Sequence, residues 1–434
     1  MTREEFSIRH SAFSVQNSAF MKKRSLAILF MVVFIDLLGF GIVLPLLPFY
    51  ASEYGASGTT VGVIVGIYSL MQFFFAPIWG RLSDRYGRRP IIMLSLSGSV
   101  LGYAIFAVAE SVLVLLVARV VAGIAAANIS TAQAYVSDVT DARDRAKGMG
   151  IIGAAFGIGF IFGPIIGGLL SSFGSRMGIP GNMFPGIAAS LFSLLALVTA
   201  IFFLGESRPE GLRPRTGRPP QFDPATWSRM IGDRSLSRVF VALFLVILAF
   251  ASMETSVVLH GEAAYDLRPK DLGFFFGLMG MIVAVIQGGL IGRLSNRFGE
   301  RALVRGGTIL LSIGFVIVPF IQQEGWLFVA AILIATGQGV SYPSLTSLVS
   351  QLADPKERGS TLGVSSSLSS LARVAGPVLA GFLYDLLSAW GPFISAAMMT
   401  LIASGLMIAA LRGRVGEVGA IETKRREPSA IEAG

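Results

Sequence analysis

The sequence predicts an all-α membrane protein: twelve transmembrane helices in two pseudo-symmetric six-helix bundles. Three observations lead there: long apolar runs, basic residues gathered on one side of those runs, and a block of sequence that occurs twice. Of 434 residues, 53% are hydrophobic and 14% charged, against roughly 25% charged in a soluble domain. A mean hydropathy of +0.70 is too apolar for a water-facing surface of this size. The net charge of +9 would suit nucleic acid if it formed a basic face in water, but here it is distributed between apolar runs, which is a topology signal. With no cysteine and only His10 and His260, neither disulfides nor Cys-based metal or redox chemistry is expected, and no metal or cofactor is called for.

A bilayer core of about 30 Å takes roughly 20 residues of helix. Stretches of that length fall at 25–47, 61–80, 90–109, 111–134, 147–172, 183–204, 239–260, 272–292, 302–321, 326–350, 359–385 and 389–411. Lipid cannot satisfy open backbone groups, and no period-2 barrel pattern is present, so these are helices. With the N-terminus inside, Arg176, Arg268 and Lys270 alone lie outside, Arg119 and Arg373 lie within spans, and the other 30 of 35 basic residues lie inside. Both termini are therefore expected in the cytoplasm of a cell with a multi-pass plasma membrane protein, here a bacterial inner membrane. The polar first twenty residues lack the apolar core of a signal peptide, and Met21 before Lys22-Lys23-Arg24 offers a second start.

The organisation read this way is an N-terminal tail at 1–24, a first six-helix half at 25–204, a cytoplasmic linker at 205–238, a second half at 239–411 and a tail at 412–434. The linker opens Pro/Arg-rich, GESRPEGLRPRTGRPP, and then turns helical: Asp223 suits an N-cap, Pro224 the first helical position, and Phe222 can staple to Trp227. Trp227, Met230 and Ile231 share a face beside Arg229 and Arg234, as in a helix on the inner membrane surface or simply a structured linker.

The two halves repeat at an offset of 212 to 213 residues. Gly80-Arg81-Leu82-Ser83-Asp84-Arg85-Tyr86-Gly87-Arg88-Arg89 after span 2 returns as Gly292-Arg293-Leu294-Ser295-Asn296-Arg297-Phe298-Gly299-Glu300-Arg301 after span 8. Asp141 to Arg145 matches Asp354 to Arg358, and Gly163-Pro164 matches Gly376-Pro377. Two such halves around a midplane cleft suit an alternating-access carrier.

At these residues, over 25–411, the chain resembles the major facilitator superfamily. GRLSDRYGRRP is similar to that family's signature between spans 2 and 3; the glycines permit a tight turn and the arginines hold the loop inside. The resemblance implies a gating loop formed by Gly80, Asp84, Arg85, Gly87, Arg88 and Arg89, with Asn296 making the second copy asymmetric. Gly159, Gly163, Pro164, Gly167 and Gly168 in span 5 look like the antiporter branch's signature: small residues let helices approach and Pro164 bends the helix. FIDLLGFGIVLPLLPFY in span 1 resembles the same branch, tetracycline and multidrug exporters included; span 4 half matches, with Ala122 in place of a glutamine. Tetracycline exporters carry an acid in span 3 where this chain has Gly102, which argues against tetracycline as the main substrate.

Four charges lie deep in spans, where each costs about 2.5–3.5 kcal/mol on insertion scales. Asp36 sits roughly 16 Å from the inner side, Arg119 roughly 18 Å, and Glu254 and Arg373 roughly 21–23 Å. The depths suggest one ion pair per half, Asp36–Arg119 and Glu254–Arg373. Asp36 is the candidate proton-coupling acid, because burial favours the neutral carboxyl and a nearby cation the carboxylate; the alternative is a purely structural pair. Glu254 is a second proton or cation site, or a structural group; Arg373, a turn before Gly376-Pro377, reads as its charge partner or as structural. Asp385 and His260 lie near span ends and read as ordinary boundary residues. Gln72, Asn128, Gln133, Gln287, Gln338 and Tyr342 are candidate cavity residues or interhelical glue, and Phe40 a candidate aromatic wall.

The resemblance implies a proton-coupled antiporter exporting small amphipathic compounds, with an importer or a lipid or metabolite carrier on the same fold as the alternative. The sequence has no GxxxxGK[ST] loop, metal-ligand cluster or nucleophile motif, which sets ATP-driven transport and enzyme chemistry aside. The expected partners are a small-molecule substrate, protons and the lipid bilayer, with no nucleic acid and a monomeric state.

Overall fold

The structure, a computed structural model, describes residues 25–126, 128–140, 145–207, 224–354 and 357–407. The two tails, most of the Pro/Arg-rich linker with Phe222 and Asp223, and residues 141–144 lie outside that set. Twelve helices among the described residues are long and apolar enough to cross a membrane. They are α1 (Ser25–Glu53), α2 (Gly58–Tyr86), α3 (Arg88–Ala107), α4 (Val112–Val139), α5 (Gly148–Arg176) and α6 (Met183–Phe203) in the first half. The second half has α7 (Arg234–Tyr265), α8 (Pro269–Phe298), α9 (Glu300–Phe320), α10 (Glu324–Leu352), α11 (Arg358–Leu387) and α12 (Trp390–Met407).

Several helices outrun the apolar stretches that announce them, because backbone hydrogen bonding continues where lipid ends. The clearest case corrects the sequence reading of the signature loop. Gly80 to Tyr86 is the last part of α2, and α3 begins at Arg88, so the expected loop shrinks to Gly87. Gly87 has φ +101°, a backbone that L side chains rarely adopt. Gly299, at φ +74°, makes the same one-residue turn between α8 and α9. Gly80, expected to serve a tight turn, lies inside the helix with open space around it.

Three spans are irregular along their length. In α1 the helix is interrupted at Leu44-Pro45, since Pro45 has no N–H to give, and resumes as Leu46–Glu53. In α4 the segments Val112–Ala125 and Asn128–Val139 are distinct. In α8 the residues Ile286–Leu290 form a π-turn, a local widening found most often at functional positions.

A short helix, Pro224–Gly232, precedes α7, and the Asp233 carboxylate caps α7 by accepting from Ser235 N at 2.8 Å and Leu236 N at 3.1 Å. Its apolar face is divided: Met230 is buried, whereas Ile231 is 58% exposed. Arg229 pairs with Glu357 at the start of α11, 2.8 Å apart and largely in solvent, a contact of small energetic weight.

The halves meet through two helix pairs, α2 on α11 and α5 on α8. Both are tightest at the end away from the linker. A Cβ at Gly381 would lie 1.8 Å from the Gly58 carbonyl oxygen, and one at Gly168 would lie 2.4 Å from that of Pro269. Toward the linker end, Gly80, Gly153, Gly288 and Gly359 have nothing within 4 Å of such an atom. The apolar cores follow the same division. One buried cluster joins both halves, with Leu47, Leu243, Phe275 and Phe315 among its members. At the linker end the clusters are separate: Leu29, Ile92, Tyr135 and Ala200 in the first half, Ile286, Leu303 and Val340 in the second. The cleft is thus closed at the far end and open toward the linker end. Leucine, isoleucine and phenylalanine side chains such as Leu113, Leu191, Phe202 and Ile402 stay on the outer surface, where lipid replaces the missing core.

Candidate functional site

Arg119 is 2% exposed, and its guanidinium lies over the Tyr68 ring, 4.4 Å from the centroid, with the Phe40 ring at 6.0 Å. A desolvated arginine against an aromatic face gains about 2 kcal/mol, which helps hold a cation that lipid would reject. Its Nε has no hydrogen-bond partner among the described residues. Phe40 continues the aromatic group to Tyr68 at 5.2 Å and Phe160 at 5.9 Å, and Phe160 to Phe156 at 6.3 Å, so α1, α2 and α5 line one wall.

Asp36 on α1 is half-buried, and Ser193 on α6 donates to its Oδ1 at 3.2 Å. The charges of Asp36, Arg119 and Arg373 all act through space on the Tyr68 hydroxyl, and those of Asp36 and Arg119 also act on the buried Tyr103 of α3. Across the cleft, Glu254 on α7 is half-buried with Arg373 as its charged neighbour, and Arg373 itself is exposed. The ion pairs expected from depth, Asp36–Arg119 and Glu254–Arg373, are not among the described pairs within 4.0 Å. Arg119 is drawn onto the Tyr68 ring instead; equal depth along two helices does not fix the direction in which each side chain leaves its axis.

The other polar candidates separate. Gln72 donates to the Ala126 carbonyl at 3.4 Å, and Trp79 to that of Ile124 at 2.6 Å, so both serve carbonyls freed where α4 is interrupted. Gln133 and Gln287 are exposed, Gln287 inside the π-turn. Tyr342 is half-buried, and the Gln338 Oε1 is buried without a partner among the described residues. The side chain of Asn128 lies outside the described set. Gly102 has no room for an acid: a Cβ there would lie 2.9 Å from that of Ala122.

In the antiporter segment, Gly159, Gly163 and Gly167 face α1. A Cβ at Gly163 would come within 2.7 Å of the Gly41 backbone, and one at Gly167 within 2.4 Å of the Ile42 carbonyl oxygen. Gly168 faces α8, as does the Pro164 carbonyl oxygen, 2.5 Å from where a Gly273 Cβ would lie. One helix therefore carries both an intra-half seam and part of the seam between halves.

The segment expected from the sequence to form a gating loop is a polar cluster at the linker end. Arg88 pairs with Asp84 at 2.6 Å and with Asp138 of α4 at 3.0 Å, and donates to Ser83 Oγ at 2.7 Å. Arg89 donates to the Ile201 carbonyl at 2.6 Å, while Arg85 lies against the Tyr86 ring, 5.3 Å from its centroid. The Glu206 carboxylate caps α3, accepting from Arg88 N at 2.8 Å and Arg89 N at 3.2 Å. The repeat builds the same cluster with the charge reversed: Glu300 stands where Arg88 does, accepting from Ser295 Oγ at 3.0 Å, Ser347 Oγ at 3.3 Å and Gln351 Nε2 at 2.9 Å. Sequence reading missed Tyr68, Ser193, Asp138 and Glu206. The two acids lie 50 and 118 residues from Arg88 in the sequence, and none of the four carried a local signal.

The Major Facilitator Superfamily model matches residues 29–291 and 288–433. The class C tetracycline resistance protein of Escherichia coli is 31% identical over 357 residues, covering 81% of this chain and 87% of that one. Multidrug resistance protein 2 of Bacillus subtilis (strain 168) is 30% identical over 385 residues, covering 86% and 92%. The crystal structure of the human organic anion transporter MFSD10 (TETRAN) superposes with a TM-score of 0.67 at 28% identity, covering 89% of this chain and 99% of that one. All of these are transporters rather than enzymes.

Proposed function

The chain belongs to the major facilitator superfamily, a multi-pass membrane transporter of small molecules, and from that premise we propose that it exports amphipathic compounds in exchange for protons. In this reading the linker end faces the cytoplasm of a bacterial cell, both termini lie there, and the protein works as a monomer. The observation that carries it is the buried Arg119 held over the Tyr68 ring, with the charges of Asp36 and Arg373 acting on the same phenol, beside an aromatic wall in a cleft closed at the far end and open toward the linker.

The division of labour follows from the chemistry of those groups. Phe40, Phe156 and Phe160 offer apolar area that accepts many ring-bearing molecules without demanding one shape. Asp36 is the proton carrier, a half-buried carboxyl in α1 to which Ser193 of α6 donates. A substrate entering from the linker end takes the place of the proton, which leaves to that side, so the loaded carrier crosses with Asp36 as carboxylate; a proton arriving from the far side neutralises Asp36, releases the substrate and lets the empty, protonated carrier return. Glu254 with Arg373 forms the corresponding pair of groups in the second half, suited to a second proton or a cationic substrate. Relatives named for tetracycline, for multiple drugs and for organic anions leave the class at small amphipathic molecules; the crowding at Gly102 supports setting tetracycline aside.

Reconstitution tests the coupling. Proteoliposomes loaded with a pH-sensitive dye are given a panel of cationic, neutral and anionic amphiphiles without ATP. Exchange predicts that substrate and proton fluxes are opposite in direction, whereas co-directional fluxes identify symport and sink the proposal.

A further inference from the structure

At the linker end of the second half, the end of α8 with α9 and α10 borders a partly open cavity of about 720 Å³. Arg301 and Arg305, one turn apart on α9, stand on its wall, and Phe298, Ile309, Leu348 and Leu352 supply apolar lining. Neither guanidinium has an ion-pair partner among the described residues. Glu300 also borders the space, but its carboxylate is engaged by Ser295, Ser347 and Gln351. The cavity lies where the apolar spans end, so its apolar side meets acyl chains and its arginines meet the headgroup layer.

The internal repeat supplies a comparison from the first half. In the first half, the same position at the start of α3 is filled by an anion from the chain itself: the Glu206 carboxylate sits on the Arg88 and Arg89 amides. Arg89 corresponds to Arg301; in the second half the Glu300 carboxylate bonds its own amide at the start of α9, and among the described residues no carboxylate pairs with Arg301, which stands with Arg305 on the cavity wall. An acid from solution would use the charge but not the apolar lining, which exposes Phe298 by 55% and Ile309 by 38%. A phospholipid uses both.

We propose that this cavity binds the phosphate of an anionic phospholipid, its acyl chains lying along Ile309 and the outer face of α9. Arg301 and Arg305 contact the headgroup. The inference rests on the membrane-crossing fold and not on the exchange of substrate for protons, so the two stand or fall separately.

The test is lipid retention by the purified full-length chain, read by native mass spectrometry from mixed micelles holding equal parts phosphatidylglycerol and phosphatidylcholine. Each arginine near the membrane surface favours the anionic lipid about five-fold, so the pair favours it roughly thirty-fold. Arg301→Gln with Arg305→Gln brings the two lipids to near parity, while Arg293→Gln, at the same end but outside the cavity, leaves the preference in place. Gly306→Leu keeps both charges and lowers retention of phosphatidylglycerol; Gly306 borders the cavity with nothing within 4 Å of a Cβ, so the side chain fills the space without a clash. That variant remains informative if the double arginine variant fails to fold. Parity in the unmodified chain, or full preference in both variants, overturns the proposal. Displacement of the lipid by inorganic phosphate at matched concentration overturns it too, by making the ligand a soluble anion.

Discussion

The carboxylate of Asp385, at the far end of α11, accepts from Thr59 N at 2.8 Å and Thr59 Oγ1 at 2.6 Å, and from Gly58 N at 2.7 Å. Gly58 and Thr59 form the first turn of α2 in the opposite half. An acid from one half therefore caps a helix of the other, on the side where the cleft is closed, and the Gly58–Gly381 contact brings the backbones close enough to permit it. Read from sequence alone, Asp385 was an ordinary boundary residue, because its partner lies 326 positions away.

Opening the far end must break this cap. A carboxylate on a helix N-terminus contributes up to about 2 kcal/mol, so Asp385→Asn should shift the resting distribution toward the far-open state by up to about thirty-fold. The chain contains no cysteine, so spin labels at Met177→Cys and Trp326→Cys, exposed positions of opposite halves, report the gap directly. A longer distance population appearing in Asp385→Asn is the expected result; an unchanged distribution would remove Asp385 from the gate.

The reversed charges of the two linker-end clusters predict a rescue. Arg88→Glu alone places a carboxylate beside Asp84, Asp138 and Glu206, and should lower both thermal stability and turnover. Adding Asp84→Asn and Asp138→Gln copies the Asn296, Glu300 and Gln351 arrangement of the second half. The triple variant should recover much of the lost stability, measured as the midpoint of thermal unfolding in detergent. Three independent losses that simply add would refute the equivalence of the clusters.

How much of this was legible in the sequence depends on distance along the chain. The spans, their halves and the repeat were readable because hydropathy and local motifs act over tens of residues. The helix ends were not, since Arg81 to Tyr86 remain helical after the apolar run stops, and only the φ of Gly87 marks the true turn. At the site, burying a charge is locally visible, so Asp36, Arg119, Glu254 and Arg373 stood out. Their partners were not: Arg119 meets Tyr68, and Asp36 meets Ser193, through helix rotations that depth alone does not specify.

The α1–α5 seam makes a graded prediction. Gly163→Ala puts a methyl group 2.7 Å from the Gly41 backbone, where no flexible side chain can yield. Overpacking of this kind costs about 1–3 kcal/mol, so the folded yield in membranes should fall. Gly153→Ala, on the same helix with open space, should be neutral. Equal yields for the two would mean that α1 and α5 are not held at this spacing in the membrane.

The sharpest prediction concerns Asp36 and Tyr68 together. If Asp36 carries the exchanged proton, Asp36→Asn fixes the neutral form, and uphill transport driven by a proton gradient should disappear. Substrate exchange at equal concentrations on both sides requires no net proton movement and should persist. Tyr68→Leu acts differently: it removes the ring beneath Arg119 and leaves a buried guanidinium without its aromatic face, yet keeps the acid. Coupled transport should then weaken by about five- to thirty-fold, from the loss of roughly 1–2 kcal/mol of cation–π stabilisation, while its dependence on the proton gradient survives. Tyr68→Phe retains the ring and should stay close to the unmodified chain, which separates the ring's part from the hydroxyl's. All three are measured per folded molecule in reconstituted vesicles, because a merely structural role would reduce the amount of protein and not its coupling. Uphill transport surviving in Asp36→Asn would move the proton to Glu254, the other acid half-buried in the cleft, where Glu254→Gln repeats the same comparison.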